Sequence, residues 1–185
     1  MEKNKIKPII LVSSCLGFEA TRYDGNILKS PLIERLRNGK YVKFITVCPE
    51  VAIGLGIPRE TLRLVNKEEK IRLIQPETGK DLTEKMLSFS EKFISNLIAD
   101  GFIFRADSPS MGPDHVKVYD KENGWFAKRI GSGLFTYEII KAFEGYPLQD
   151  DKRLRHPKIQ ENFLTKLYTY ARLRLAFDSK NLESL

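Results

Sequence analysis

The chain has 185 residues, 42% hydrophobic and 30% charged, a balance that fits one globular domain with a short appendage and excludes global disorder. No apolar run approaches the roughly 18 residues that a membrane span needs, and two cysteines are too few for a disulfide framework. The net charge of +7 favours anionic partners, nucleic acids among them, but the basic residues are dispersed and solubility explains them equally.

Met1 to Pro8 is basic and leads into only a short apolar run. This predicts no signal peptide and a reducing cytoplasm, where thiols more often bind metal or react. Residues 8–14 are continuously apolar and end in Ser13-Ser14, as a buried parallel strand feeding a loop does. Cys15 opens that loop. Arg22-Tyr23-Asp24-Gly25 reads as a turn, in which Asp24 either orients a ligand or closes an Asx-turn. Ser30-Pro31 predicts a helix start, with Leu32, Ile33 and Leu36 on one face and Asn38-Gly39 at the end.

A second strand, Tyr41 to Val47, stops at Cys48-Pro49-Glu50, because proline removes a ladder donor. Cys48 and Glu50 are a small buried cysteine beside a surface glutamate, or a thiolate and a carboxylate at the ligand-binding rim of an α/β sheet. Gly54 to Glu60 is a glycine-punctuated loop that matches no phosphate-binding fingerprint, and Arg59 within it is read as structural. Leu62–Val65 and Ile71–Ile74 are short strands expected at a sheet edge. Residues 81–100 predict a helix capped by Gly101, from the spacing of Leu82, Met86, Phe89, Phe93, Ile94, Leu97 and Ile98.

Phe102 to Phe104 begins a third buried strand, running into Asp107-Ser108-Pro109-Ser110-Met111-Gly112-Pro113. Three strand ends, at Cys15, Cys48 and Ser108, are thus expected on one rim of a parallel sheet. Val116 to Tyr119 is a short strand, Trp125 a core or pocket-wall residue, and Leu134 to Phe143 a helix. Gly145 to Asp151 reads as a linker. Pro157 to about Phe177 is a last helix carrying Ile159, Phe163, Leu167, Tyr170 and Leu173, packed on the domain or on a partner, where it would support an oligomer. The fold class is α/β, with a mainly parallel sheet flanked by helices and a C-terminal helical tail. The expected division is an α/β domain at 1–145 and a connector with helical tail at 146–185.

Ser13-Ser14-Cys15-Leu16, Arg22-Tyr23-Asp24-Gly25, Val47-Cys48-Pro49-Glu50, Gly54-Leu55-Gly56-Ile57-Pro58-Arg59, Ser108-Pro109-Ser110 with Gly112, and Val116-Lys117-Val118-Tyr119 form a set. Together they resemble a bacterial family of iron–sulfur-dependent thiouracil desulfurases (desulfidases), formerly known as a domain of unknown function. The resemblance covers roughly residues 8–145. Residues 146–177 look like the connector into a second helical domain often fused to this family and expected to be absent here.

The resemblance implies a cytoplasmic enzyme, hydrolase-like, that removes sulfur from thiolated nucleobases with a 4Fe-4S cluster. It places the first two cluster cysteines at Cys15 and Cys48, and the third at the position of Met111. A thioether is neutral and weak where a thiolate is anionic and strong. Glu50 matches the carboxylate that activates water and Ser108 the assisting serine. Asp24 and Ser110 are candidates for substrate contact. The alternative is a diverged nucleobase- or RNA-binding module without a stable cluster.

Overall fold

The fold is organised around β1 (Ile9–Ser13), the second of four strands in an all-parallel sheet ordered β2, β1, β6, β9. β2 is Lys43–Val47, β6 is Gly101–Phe104 and β9 is Leu148–Asp150. The chain is described by a computed structural model over residues 6–121, 124, 127–129 and 131–182, so Trp125 lies outside the described residues.

The apolar continuity of β1 and β6 follows from cover on both faces. Ile10, Val12 and Ile103 face a layer made by α1 (Pro31–Asn38), with Leu32, Ile33 and Leu36, and by α5 (Pro157–Leu182), with Phe163 and Leu167. Leu11, Phe102 and Phe104 face the other side. There they join Met86 of α3 (Thr83–Ile94) and Phe135 and Ile139 of α4 (Leu134–Ala142). The fold is therefore α/β, a parallel sheet flanked by helices with a C-terminal helix, as the sequence implies. Phe163 and Leu167 of that helix are buried against the sheet.

Four local expectations differ from the structure. The two short strands after Arg59 do not lie at a sheet edge. They are β3 (Arg63–Lys67) and β4 (Lys70–Gln75) of a separate five-stranded sheet ordered β5, β4, β3, β7, β8. β5 is Lys80–Asp81, β7 is Lys117–Tyr119 and β8 is Ala127–Arg129. The β3–β4 hairpin turns through Glu68 and Glu69, with φ of 50° and 63°. Two left-handed residues make the tight turn that suits paired antiparallel strands.

The helix expected over 81–100 ends at Ile94, and Gly101 opens β6 instead of capping a helix. Asp100 is fully buried, where it accepts the Ile9 amide at 2.7 Å and a two-pronged ion pair from Arg174 at 2.8 and 2.9 Å. A Cβ on Gly101 would come within 2.8 Å of Leu167 Cδ1 and 3.1 Å of Pro147. The glycine therefore serves the close seating of α5 on the sheet. Within the stretch read as a linker, 148–150 form β9, and its partner is β6. Finally, α5 runs five residues beyond the expected Phe177, to Leu182.

Candidate functional site

In the parallel sheet β1 and β2 are neighbours, whereas the chain crosses to the far side of β1 to form β6. Loops leaving the C-terminal ends of β1 and β6 therefore diverge, which opens a crevice at that edge. Here the crevice is a cavity of about 480 Å³, within the usual range for a small-molecule site. Cys15, Cys48, Glu50, Ser108 and Met111 all line it. The far wall comes from the second sheet and its approaches, through Leu62, Arg63, Lys117 and Tyr119.

Cys15 leaves β1 through a loop tied by the Leu28 amide to the Cys15 carbonyl at 2.8 Å. Cys48 stands in extended backbone just before the single-turn helix α2 (Pro49–Ala52), and Pro49 sets the first helical φ. This turn brings the Glu50 carboxylate back over the Cys48 thiol, which donates to Oε2 at 3.3 Å. Arg59 reaches the same spot: its Nη2 lies 3.7 Å from Cys48 Sγ and 3.9 Å from Glu50 Oε2. Arg59 is itself held by Nη1 donation to the Thr21 carbonyl at 3.0 Å and by its amide on the Tyr23 carbonyl at 2.8 Å. The arginine read as a loop element is thus the counter-charge of the buried Glu50.

Burial pushes the Cys15 thiol up to about 12, helped by the negative charge of Glu50 and by the neighbouring Cys48. Burial likewise pushes Cys48 up to about 11, and the Glu50 charge adds to it. With nothing bound, both are therefore protonated thiols at neutral pH.

The opposite wall is built differently. Ser108 Oγ accepts the amides of Ser110 at 3.3 Å and Met111 at 3.0 Å. The Gly112 amide returns to the Ser108 carbonyl at 2.8 Å, and the Leu134 amide to the Pro109 carbonyl at 3.0 Å. Met111 is 3% exposed and belongs to the larger core cluster. Its Sδ accepts a hydrogen bond from the buried Ser13 hydroxyl at 3.1 Å, and Ser13 Oγ accepts the Arg105 amide at 3.0 Å. Arg105 is clamped from behind by Asp151, whose oxygens sit 3.0 and 2.9 Å from Nη1, while Asp151 also accepts the Ala106 amide at 2.8 Å.

Two expected substrate contacts lie outside the lining. Asp24 sits in an exposed turn, paired with Arg22 and accepting the Asn26 amide at 3.1 Å, an Asx-turn. Ser110 is fully buried behind the wall, and its hydroxyl has no partner among the described residues. Arg105 and Ser13 are site residues that the sequence reading passed over. The only local signal was an arginine directly after an apolar strand; its clamp, Asp151, is 46 residues away.

Sulfur donors in the cavity are the two cysteine thiols and the Met111 thioether. Among the described residues, no group of three or more His, Cys, Asp or Glu side chains is placed to hold a metal ion. The lining has a basic surplus, with Arg22, Arg59, Arg63, Arg105 and Lys117 against Glu50, Glu60 and Asp107. Arg22 stacks on Tyr23 at 4.6 Å and Arg63 on Tyr119 at 4.5 Å, which props these side chains around the opening.

Comparison with known proteins agrees with this architecture. By fold, the chain is similar to a 4Fe-4S-dependent thiouracil desulfidase, TudS, with a TM-score of 0.64 and 22% identity, covering 86% of this chain and 99% of that one. In sequence it is 32% identical over 156 residues to YbbK of Bacillus subtilis (strain 168), described as uncharacterized, covering 79% of this chain and 97% of that protein. The sequence model of the 2-thiouracil desulfurase family matches residues 10–151, a span that takes in every strand of the parallel sheet except the first residue of β1, and the whole cavity lining. The chain belongs to the 2-thiouracil desulfurase family.

Proposed function

We propose that the cavity binds a thiolated nucleobase of the thiouracil kind and removes its sulfur, with Glu50 as the base. One observation carries the reading: a carboxylate that is only 8% exposed lies at the cavity wall, between a thiol and an arginine, in a chain of this family. A buried carboxylate so placed can take a proton from water, which is a poor nucleophile at neutral pH without a base in reach. Oxygen then bonds to the thiocarbonyl carbon and the C=S electron pair moves to sulfur. Return of the proton from Glu50 to sulfur, then collapse of the adduct with loss of its hydroxyl proton to the departing sulfur, leaves a carbonyl and hydrogen sulfide. Water is the only co-reactant.

Ser108 has a narrower part than a general acid–base. A hydroxyl has two lone pairs and one proton, and both lone pairs already accept backbone amides. It can only donate, which suits orienting an oxygen or sulfur acceptor of the base. Arg59, beside the Cys48 thiol and the Glu50 carboxylate, is the cation placed to face the negative charge that builds on sulfur during attack.

The 4Fe-4S dependence belongs to the solved relative TudS. Such clusters are held by cysteine thiolates. The donor set here does not fit one: the whole chain has two cysteines, and the third sulfur is a thioether already engaged by Ser13. This mismatch favours a second reading, in which the cavity binds a thiolated nucleobase without turning it over.

Incubating the protein with 2-thiouracil and, separately, 4-thiouracil, and measuring the pyrimidine product and sulfide, separates the two. The expected result is uracil and sulfide in equal amounts, lost in Glu50→Gln, which still binds the base. Binding without product leaves the second reading standing. Neither binding nor product overturns both.

A further inference from the structure

Met111 stands where the resemblance places a sulfur ligand, and although it lines the cavity, its hydrogen bond and its packing among the described residues are structural. Its side chain is packed into the core cluster. Its sulfur accepts from Ser13, whose oxygen in turn holds the Arg105 amide, so the thioether closes a buried chain of hydrogen bonds that ties the β1 end to the β6 end. The loop around its backbone is closely packed. A Cβ on Gly133 would lie 2.4 Å from the Ser110 carbonyl carbon and 2.7 Å from the Met111 amide, so α4 starts hard against this loop. A Cβ on Gly112 would lie 2.5 Å from Val116 and 2.8 Å from the Ser108 carbonyl.

We infer that Met111 is a packing residue of the cavity wall and not an iron ligand, and that its presence denies the chain a stably bound 4Fe-4S cluster. Three observations support this. No cysteine other than Cys15 and Cys48 exists anywhere in the sequence to make up a thiolate set. A thioether brings no charge, so replacing a thiolate by it removes both a strong bond and part of the charge that matches the cluster. The one lone pair that the thioether directs along its contact to Ser13 is already used. The inference concerns the cofactor and does not depend on which base the cavity takes.

The test is iron and acid-labile sulfide content after anaerobic reconstitution with ferrous iron and sulfide, then desalting, for the full chain and two variants. Met111→Cys is expected to rise several-fold to a full 4Fe-4S complement, with a matching visible absorption band. Met111→Leu, close to methionine in volume and therefore foldable, is expected to hold the same low iron content as the unsubstituted chain. A full and stable complement in the unsubstituted chain overturns the inference. So does a drop in iron on going to Met111→Leu, which would make the thioether a ligand, and so does a folded Met111→Cys that gains nothing. If Met111→Cys does not fold, the Met111→Leu comparison and the unsubstituted content still decide. Because the readout is metal content, its failure and a failure of nucleobase turnover are separate results.

Discussion

The two walls of the cavity are made of similar residue types and do opposite jobs. On the Cys48 side, ionisable groups face one another at contact distance: a thiol, a carboxylate and a guanidinium lie within 3.3 to 3.9 Å. The backbone beneath them is a single helical turn. On the Ser108 side, the hydrogen bonds run mostly to backbone amides, the charged pair Arg105–Asp151 is closed on itself, and two glycines let the loop press against α4 and Val116. One wall holds charge that a reaction can use; the other holds position. A serine or a methionine therefore means something different on each. Met111 looks like a site residue because it lines the cavity, but its contacts are those of a brace; Ser108 braces the loop through its lone pairs and keeps only its proton for a ligand.

Substitutions on each side sharpen this contrast. The largest expected effect is from Glu50→Gln. Turnover of thiouracil should fall by about 100-fold or more, the usual worth of a positioned base, while the midpoint of urea unfolding falls only in part, from leaving the buried Arg59 without its counter-charge. An equal loss of stability and activity would place Glu50 on the bracing side. Next, Gly133→Ala should destabilise the fold by roughly 1–3 kcal/mol, because its Cβ meets backbone atoms of Ser110 and Met111 rather than a side chain that can swing away. Urea unfolding reads this directly, and a neutral result would mean that the loop is softer than its contacts indicate.

Ser108→Ala should cost about 1 kcal/mol, since one neutral acceptor is lost to two amides near the surface of the wall. A fall in turnover much beyond that, at a substrate level that saturates the cavity, would move Ser108 to the reactive side. The smallest effect concerns the thiols. Alkylation of Cys15 and Cys48 by iodoacetamide should be slow at neutral pH compared with a free thiol. It should climb with pH toward about 11 for Cys48 and about 12 for Cys15, because only the thiolate reacts and burial disfavours it. Mass spectrometry of each modified peptide across pH gives both profiles. Fast reaction at neutral pH would show that the cavity is wetter or more positive at the sulfurs than its lining suggests.

Much of the reactive wall was legible because its determinants are local. A β-branched run stopped by proline ends a strand whatever surrounds it, and so Cys48 and Glu50 had to emerge at the rim. The apolar runs before Ser13 and after Gly101 mark buried parallel strands for the same reason. The four helices around the sheet were anticipated from apolar spacing, proline starts and the breaks that follow, apart from the ends of α3 and α5. After α3 the amphipathic pattern runs on to Ile98, but the buried Asp100 must meet the Ile9 amide and Arg174, and the chain leaves the helix early to deliver it.

The sequence by itself determined the α/β class, three parallel strand ends on one rim and the presence of two thiols and a carboxylate beside them, since these follow from hydrophobic periodicity and chain-breaking residues. Tertiary structure alone decided which side chains pair. The β3–β4 hairpin turns on two glutamates held at positive φ by strand pairing, with no Asn-Gly or Asp-Gly signal to announce it. Arg59 becomes the partner of Glu50 only when the loop after α2 folds back, Asp151 becomes the clamp of Arg105 only when β9 docks on β6, and Met111 becomes a brace only when Ser13 is brought beneath it. Each of these is a contact between residues 9 to 98 positions apart in the chain, and local spacing carries no record of distances closed by the packing of the whole sheet.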